Sequence, residues 1–234
     1  MPVAPLPKVR AELAATARRL HEAGWVANHD GNVSVRLHGD RLLITPTAVS
    51  KRSVDEAMLL VVDLEGKVLE GRRKPFGELD LHLAVYRARP DAEAVLHAHP
   101  PYATALGLVG GALAPLAMPE VVVSLGDAVP TLPRAMPKSR EGAAQVEAAA
   151  AQVDAMLLSG NGALTLGDGL EQALLRMELV EHQAKILALA RQLGTVAPLA
   201  AGEVKALLEA RAKAFSRPPA SPAPSHKPPR SARG

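Results

Sequence analysis

The sequence predicts one α/β or α+β domain built on a sheet of mixed pairing. Short strand-like segments follow one another in pairs joined by turns, and such hairpins argue against a purely parallel, doubly wound sheet. Helical segments precede and follow these strands, so helices can cover the sheet. The length of 234 residues suits one large domain or two small ones. The chain contains no G-x-G-x-x-G phosphate-binding pattern.

Hydrophobic periodicity gives the predicted order of elements. Apolar stripes or helix-forming residues predict helices at 8–24, 80–89, 102–109, 140–152, 170–193 and 202–215. Alternating or continuous apolar runs predict strands at 33–37, 41–45, 59–62, 67–70, 92–96, 121–123, 155–158 and 163–166. The segment 121–123 is assigned to a strand because it consists of three β-branched valines.

The composition excludes several classes of protein. The chain has no Cys, so it offers no disulfide framework and no thiolate ligand, and any metal must be held by His and oxygen ligands. One Trp, two Tyr and two Phe argue against an aromatic platform for stacked bases. Four of the positive charges behind the net charge of +3 are Arg217, Lys227, Arg230 and Arg233. Without them the body is near neutral, so no nucleic-acid partner is expected.

The sequence shows no targeting or membrane signal. Residues 1–7 contain three prolines and no long apolar run, and no stretch approaches the length of a membrane span. A cytoplasmic protein with no membrane partner is therefore expected. Residues 216–234 hold six prolines together with Ser, Ala and basic residues. This composition predicts a disordered, basic, Pro-rich tail that follows a domain at 1–215.

The run AVLHAHPPY at 94–102 contains the most informative pair of residues. Residues 92–96 are short and apolar and predict a buried strand, so His97 and His99 point to the same side of it. The two prolines that follow end the strand. Two imidazoles at the mouth of a strand can begin a divalent-metal site, although such a site needs further ligands. Spacing alone also allows two hydrogen-bonded histidines near a turn.

Three further segments could take part in chemistry. Pro75 and Gly77 form a stiff turn that places Glu78 at a helix start. Its carboxylate is either a helix-end charge or, beside a metal, a ligand or proton shuttle. The loop at 30–34 could simply lead into a strand, or its amide side chain could reach a substrate oxyanion. The turn at 44–48 ends a strand with two hydroxyls and can hold a phosphate.

Together these segments resemble the class II aldolase and adducin head-domain family, and within it most of all the bacterial L-fuculose-1-phosphate aldolases. The resemblance spans about residues 8–195. It is carried by motifs that occur in order: GNVS at 31–34, ITPT at 44–47, KP with Glu78 and His82 from 74 to 82, HAH at 97–99, LLSGNG at 157–162 and ELVEH at 178–182. Each motif is weak alone, but the combination is specific.

The resemblance implies a three-layer α/β/α domain with a central mixed, largely antiparallel sheet, assembled as a homotetramer that binds a small sugar phosphate. It implies a zinc-dependent lyase, or one that uses another divalent metal. The reaction would be retro-aldol cleavage of L-fuculose 1-phosphate or a similar ketose 1-phosphate to dihydroxyacetone phosphate and lactaldehyde, with Glu78 as the proton shuttle. The implied metal ligands are Glu78, His97, His99 and Asn161. The implied substrate-binding residues are Gly31, Asn32, Thr47, Ala48, Phe76 and Gly77.

The sequence departs from the family pattern in ways that bear on this reaction. Asn161 stands where the family has a third His ligand, and an amide oxygen is a poorer zinc ligand than imidazole. Phe76 and Gly77 replace two serines, and no tyrosine matches the residue that protonates the leaving aldehyde. His82, four residues after Glu78, could hydrogen-bond it and is interpreted as a residue that supports the site from outside the ligand set. Two alternatives stay open: a sugar-phosphate epimerase or dehydratase on the same metal scaffold, and a non-catalytic oligomeric scaffold like the adducin head.

Overall fold

A computed structural model describes residues 6–136 and 138–215 of the chain. The tail predicted at 216–234 lies outside the described residues. The helices are α1 Leu6–Glu22, α2 Leu79–Ala88, α3 Pro101–Leu108, α4 Pro119–Leu125, α5 Arg140–Ala150, α6 Leu170–Leu193 and α7 Ala201–Ala214. The strands are β1 Asn32–Leu37, β2 Arg41–Ile44, β3 Leu60–Asp63, β4 Val68–Glu70, β5 Ala94–Ala98, β6 Thr131–Leu132, β7 Ala155–Leu158 and β8 Ala163–Gly167.

The strands form one mixed sheet, in the order β4-β3-β2-β1-β5-β8-β7-β6. Every neighbouring pair is antiparallel except β6 and β7, which run parallel. This topology confirms the predicted class, an α/β fold with a mixed and largely antiparallel sheet. The strand β6 was not predicted, because two residues give no periodic signal.

Helices cover both faces of the sheet and produce three layers. Residues of α1, α3, α4 and α6 form one hydrophobic cluster with one face of the sheet. Residues of α2 and α5 form a second cluster with the other face. The alternation is clear in β1, where Val33 and Val35 join the first cluster while Ser34, fully buried, faces α2. The polar side chain on that face begins the network that surrounds the candidate site.

The strand predicted at 121–123 was wrong, because these residues lie inside helix α4. Pro119 occupies the first turn of this helix, a position that suits its fixed φ and missing N–H group. Val121, Val122 and Leu125 are buried against the core. At the other end of the helix, Arg211 of α7 donates to the carbonyl oxygens of residues 123 and 124. Core burial and this cap outweigh the β preference of three valines.

The antiparallel register brings the predicted site segments to one end of the sheet. Strand β5 ends at Ala98 beside Ala163, the first residue of β8, and β1 begins at Asn32 opposite His97. Strand β2 ends at Ile44 opposite Ser34, so the turn at 45–48 leaves from the same end. The exposed turn at 38–40 lies at the opposite end of the sheet. None of the helices in the described ranges is long and apolar enough to cross a membrane.

Candidate active site

The two histidines of the HAH motif lie side by side at the end of β5. His97 is fully buried within the strand, and His99 is the first residue after the end of the strand at Ala98. The centroids of their rings are 5.1 Å apart, with an edge-to-face arrangement. The strand geometry therefore places both imidazoles at one location, as their spacing predicted.

Glu78 reaches this location from the residue before α2. Its Oε2 atom lies 3.0 Å from Nδ1 of His97 and accepts a hydrogen bond from Nδ2 of Asn32 at 3.0 Å. Its Oε1 atom accepts a hydrogen bond from Nδ2 of Asn161 at 2.7 Å. Burial alone would raise the pKa of Glu78, but His97 and the two amides outweigh it and hold that pKa well below its usual range. Glu78 is therefore ionised at neutral pH.

His97 has an oxygen close to each ring nitrogen. Its Nε2 atom lies 2.7 Å from the backbone carbonyl oxygen of Asn161, and its Nδ1 atom faces Glu78. Burial lowers the pKa of His97, but the adjacent carboxylate and the carbonyl oxygen outweigh this effect and raise it. Glu78 and His97 thus form a close carboxylate–imidazole pair in which the carboxylate favours protonation of the ring.

A series of hydrogen bonds among buried side chains ends at the carboxylate of Glu78. The hydroxyl of Tyr86 lies 2.9 Å from Oγ of Ser34, which lies 2.7 Å from Nδ1 of His82. Nε2 of His82 lies 2.6 Å from Oδ1 of Asn32. Burial lowers the pKa of His82 to about 3, so its ring is neutral and has one donor and one acceptor nitrogen. Because Asn32 donates to Glu78, His82 donates to Asn32 and accepts from Ser34. Each group in this series therefore donates to the next one, and the last donor reaches the carboxylate of Glu78.

In this series of hydrogen bonds His82 does not contact Glu78 directly. Glu78 precedes the first helical residue, Leu79, and its side chain turns toward His97 and Asn161. The one-turn spacing that would join positions 78 and 82 on a helix surface therefore does not apply. His82 acts on Glu78 through Asn32 instead.

A second pair, His99 and Asp30, lies beside the first. Nδ1 of His99 is 3.7 Å from Oδ2 of Asp30, while Nε2 of His99 is buried and has no hydrogen-bond partner among residues 6–136 and 138–215. Burial and the neighbouring His97 lower the pKa of His99. An unpartnered buried imidazole nitrogen is costly and is an available ligand.

Lys51 lies beneath the loop that carries Asp30. Its side chain is buried, and its ammonium donates to the carbonyl oxygens of His29 and Val49. Burial lowers the pKa of Lys51 to about 8, against the opposing attraction of Asp30. This lysine could not be predicted from the sequence, since burial of a charged side chain leaves no local pattern.

The six predicted substrate-binding residues lie in segments that meet around Glu78. The backbone N–H of Thr47 donates to the carbonyl of Lys74, and an antiparallel bridge joins Pro46 to Pro75, so Thr47 lies opposite the residues just before Phe76. The backbone N–H of Thr47 is therefore already used in a hydrogen bond within the protein. Ala48 has a φ of 55°, which is uncommon for a residue other than glycine.

The other members of this set are largely engaged in packing. Asn32 uses both ends of its amide, toward Glu78 and His82. Phe76 is buried, with its ring 4.9 Å from that of His82. Gly31 has a φ of 71°, and a Cβ there would overlap Val26. Their role in binding a substrate stays a prediction.

The loop that carries Asn161 is held against the histidines by a glycine. Gly162 has a φ of 74°, and a Cβ at this position would overlap the carbonyl oxygen of Ala98 and lie 2.5 Å from Cδ2 of His99. Only glycine allows this approach without strain. The close contact brings Asn161 within hydrogen-bonding distance of Glu78.

Part of the donor set suits a divalent metal. Within 6–136 and 138–215, no group of three or more His, Asp or Glu side chains is arranged so that it could hold a metal ion. The imidazoles of His97 and His99 and the carboxylate of Glu78 are nevertheless ligand types that zinc accepts. Nε2 of His99 is already unpartnered, whereas Glu78 and His97 would have to exchange their mutual contact for the ion. The metal ligands therefore stay a prediction.

A small, partly open cavity of about 40 Å³ adjoins this cluster. Glu78 and Asn161 form one part of its wall, and apolar side chains form most of the rest. The lining residues are Glu78, Leu81, Leu132, Pro133, Ala135, Met136, Lys138, Gly142, Gln145, Val146, Leu158, Ser159 and Asn161. The ionised carboxylate thus forms part of the wall of a small cavity that is partly open to solvent.

The three-layer fold thus carries a Glu–His cluster at one end of a mixed sheet. The chain belongs to the Class II Aldolase and Adducin N-terminal domain family, whose model matches residues 11–188. It is an enzyme of this family, an aldolase or a decarboxylase. Members of the family are typically metal-dependent.

Similar proteins include both types of enzyme. The 3-oxo-tetronate 4-phosphate decarboxylase of Haemophilus influenzae is 33% identical over 72% of this chain and 81% of its own length. The L-fuculose phosphate aldolase of Escherichia coli K12 is 30% identical over 77% of this chain and 81% of its own length. A solved L-fuculose 1-phosphate aldolase superposes with a TM-score of 0.81 at 31% identity, covering 87% of this chain and 95% of that one.

Proposed function

We propose that this protein is a metal-dependent lyase that breaks a carbon–carbon bond beside the carbonyl of a phosphorylated sugar. The proposed reaction is retro-aldol cleavage of L-fuculose 1-phosphate, or a similar ketose 1-phosphate, to dihydroxyacetone phosphate and lactaldehyde. The observation that carries the proposal is the convergence of ionised Glu78 with His97 and His99 at the wall of a cavity. The aldolases among the similar proteins support the choice of substrate.

The chain's own residues have distinct parts in this reaction. Glu78, His97, His99 and Asn161 would hold the divalent ion. When bound, that ion supplies a Lewis acid for negative charge on the substrate oxygens. Glu78 is the catalytic residue that moves a proton at the carbon where the bond is broken.

Asn32 is a positioning residue, because it fixes Glu78 through its own bond to His82. The apolar walls of the cavity limit the access of water. A single carboxylate in this position can act as both base and acid.

Decarboxylation of a 3-oxo sugar-acid phosphate is a second candidate, favoured by one observation. Retro-aldol cleavage requires a group that accepts the hydroxyl proton as the aldehyde leaves. No tyrosine is among the described side chains that line the cavity. Loss of carbon dioxide involves no such hydroxyl proton, so the smaller set of acid–base groups would suffice. Relatives named as 3-oxo-tetronate 4-phosphate decarboxylases, 31–33% identical to this chain, support this candidate.

The test is an assay of purified full-length protein with added zinc, cobalt or manganese. Release of lactaldehyde from L-fuculose 1-phosphate would support the aldolase, and release of carbon dioxide from 3-oxo-tetronate 4-phosphate would support the decarboxylase. Elemental analysis should find about one divalent ion per chain, and fewer in a His99→Gln variant. No product from either substrate with any of the three ions would refute the proposal.

We also propose that the protein is a cytoplasmic homotetramer. Several large apolar side chains are exposed on the single chain, as expected for surfaces that close cyclic interfaces. The most exposed are Leu193, Val109, Met136 and Leu108. Light scattering coupled to gel filtration should give four times the mass of the chain, and a monomer would contradict the proposal.

A further inference from the structure

One lysine lies at the cavity beside the catalytic carboxylate. Lys138 lines the cavity whose wall includes Glu78 and Asn161, and it is the single cationic side chain among the described lining residues. Its Cε atom lies close to Gly77, the residue before Glu78. A Cβ at Gly77 would lie 3.5 Å from this atom, which is an ordinary van der Waals contact.

The backbone of Lys138 is held in an unusual conformation. Its φ is 62°, in the left-handed region that non-glycine residues seldom adopt because Cβ crowds the backbone. The following turn fixes it. The N–H of Ser139 donates to the carbonyl of Met136, and Oγ of Ser139 accepts from the N–H of Gly142 in the first turn of α5. Strain of this kind at the rim of a site is a reason to look for a function of the side chain.

The ammonium of Lys138 is available to a ligand. Within 6–136 and 138–215, no carboxylate lies within ion-pairing distance of it, although Asp80 is near enough to attract it. Glu78 lines the cavity and Asp80 lies near Lys138, and both carboxylates repel an anion. Phe76 and Gly77 carry no side-chain donor. An anionic substrate therefore has one evident cationic partner in this cavity.

We propose that Lys138 is a specificity-determining residue that binds the anionic group of the substrate, a phosphate or a carboxylate, within the cavity beside Glu78. Lys138 is exposed, so this charge-assisted contact would form at the rim of the cavity, within reach of solvent. The inference rests on the proposed lyase function. It assigns Lys138 to the anionic end of the substrate, which lies away from the bond that is broken.

Calorimetric titration of the full chain with inorganic phosphate and, separately, with glycolate tests the proposal in low-salt buffer. The variants are Lys138→Gln and Lys138→Gly, which remove the charge, and Lys138→Arg, which keeps it. The glycine variant also relieves the left-handed backbone, so it should fold at least as well as the natural chain. Lys67→Gln is the matched control, because Lys67 is exposed on the turn before β4, away from the cavity.

We expect the affinity for one of the two anions to fall at least about tenfold in Lys138→Gln and Lys138→Gly, as for loss of a hydrogen bond to a charged group. Lys138→Arg and Lys67→Gln should stay within about threefold of the natural chain. Loss of phosphate affinity assigns a phosphate to the subsite, and loss of glycolate affinity assigns a carboxylate. Equal affinity in Lys138→Gln and the natural chain, or binding of neither anion by the natural chain, would overturn the proposal.

Turnover separates this inference from the proposed function. If the lyase is active, KM should rise in Lys138→Gln while kcat changes little, because the contact is formed with both the bound substrate and the transition state. If no lyase activity is found but anion binding still depends on Lys138, the subsite stands and the proposed reaction falls. If the lyase is active and Lys138→Gln leaves both KM and anion affinity unchanged, the subsite falls and the reaction stands.

Discussion

Replacement of Lys51 by Met should change how the stability of the protein depends on pH. Lys51 is 2% exposed, and its ammonium is held by two backbone carbonyls under the loop that carries Asp30. Methionine keeps most of the length and volume of the side chain and removes its charge. The comparison therefore isolates the cost of a buried ammonium.

The size of the effect follows from the pKa of Lys51, which burial lowers from 10.5 to about 8. Between these two values the unfolded chain holds a proton that the folded chain has released, so stability rises with pH. The whole difference corresponds to about 3 kcal/mol, of which about 2 kcal/mol should appear between about pH 7 and about pH 9.5. At neutral pH the folded protein bears almost the full penalty.

Urea unfolding followed by circular dichroism, at a series of pH values in this window, measures the effect. The free energy of unfolding of the natural chain should increase by about 2 kcal/mol relative to that of Lys51→Met as pH rises. Other titrating groups contribute equally to both proteins and cancel. Parallel pH profiles for the two proteins would show that Lys51 keeps its ordinary pKa, and the reasoning would be refuted.

Three further changes probe the site and its supports. Glu78→Gln should lower lyase turnover by about 10²–10⁴-fold with unchanged circular dichroism, and a smaller loss would remove Glu78 from the proton transfer. Gly162→Ala should lower the free energy of unfolding by about 2–5 kcal/mol, because Cβ would overlap Ala98 at positive φ. The control Gly202→Ala, in open space, should not. Asp154→Asn should cost about 3–5 kcal/mol in urea unfolding, since it strips a counter-charge from buried Arg176; a loss below about 1 kcal/mol would contradict this.

Much of the fold could be predicted because its long elements carry strong local patterns. Helix α6 occupies the predicted range 170–193, and the predicted hairpin at 33–45 forms β1 and β2. The errors fall where tertiary contacts override local preference. The valines at 121–123 are helical because the core and Arg211 stabilise that helix. Such contacts join residues far apart in sequence and leave no periodic signal.

The candidate site divides in the same way. His97, His99 and Glu78 could be proposed because strand spacing and a Pro–Gly turn are local features of the sequence. Lys51 and Lys138 could not be proposed from the sequence. Their importance depends on burial, on backbone conformation and on residues distant in sequence. Likewise, nothing in the sequence indicates that Asp154 receives arginines from positions 89, 176 and 211.

The single-ended arrangement of the sheet has a practical consequence for handling this protein. All the segments around Glu78 leave the strands at one end, whereas the exposed turn at 38–40 caps the other. A fluorophore, an affinity peptide or a surface linker inserted at Gly39 would therefore sit a full strand length away from the reacting groups. Protein molecules attached to a bead through this turn would have the candidate site on the side that faces the solution.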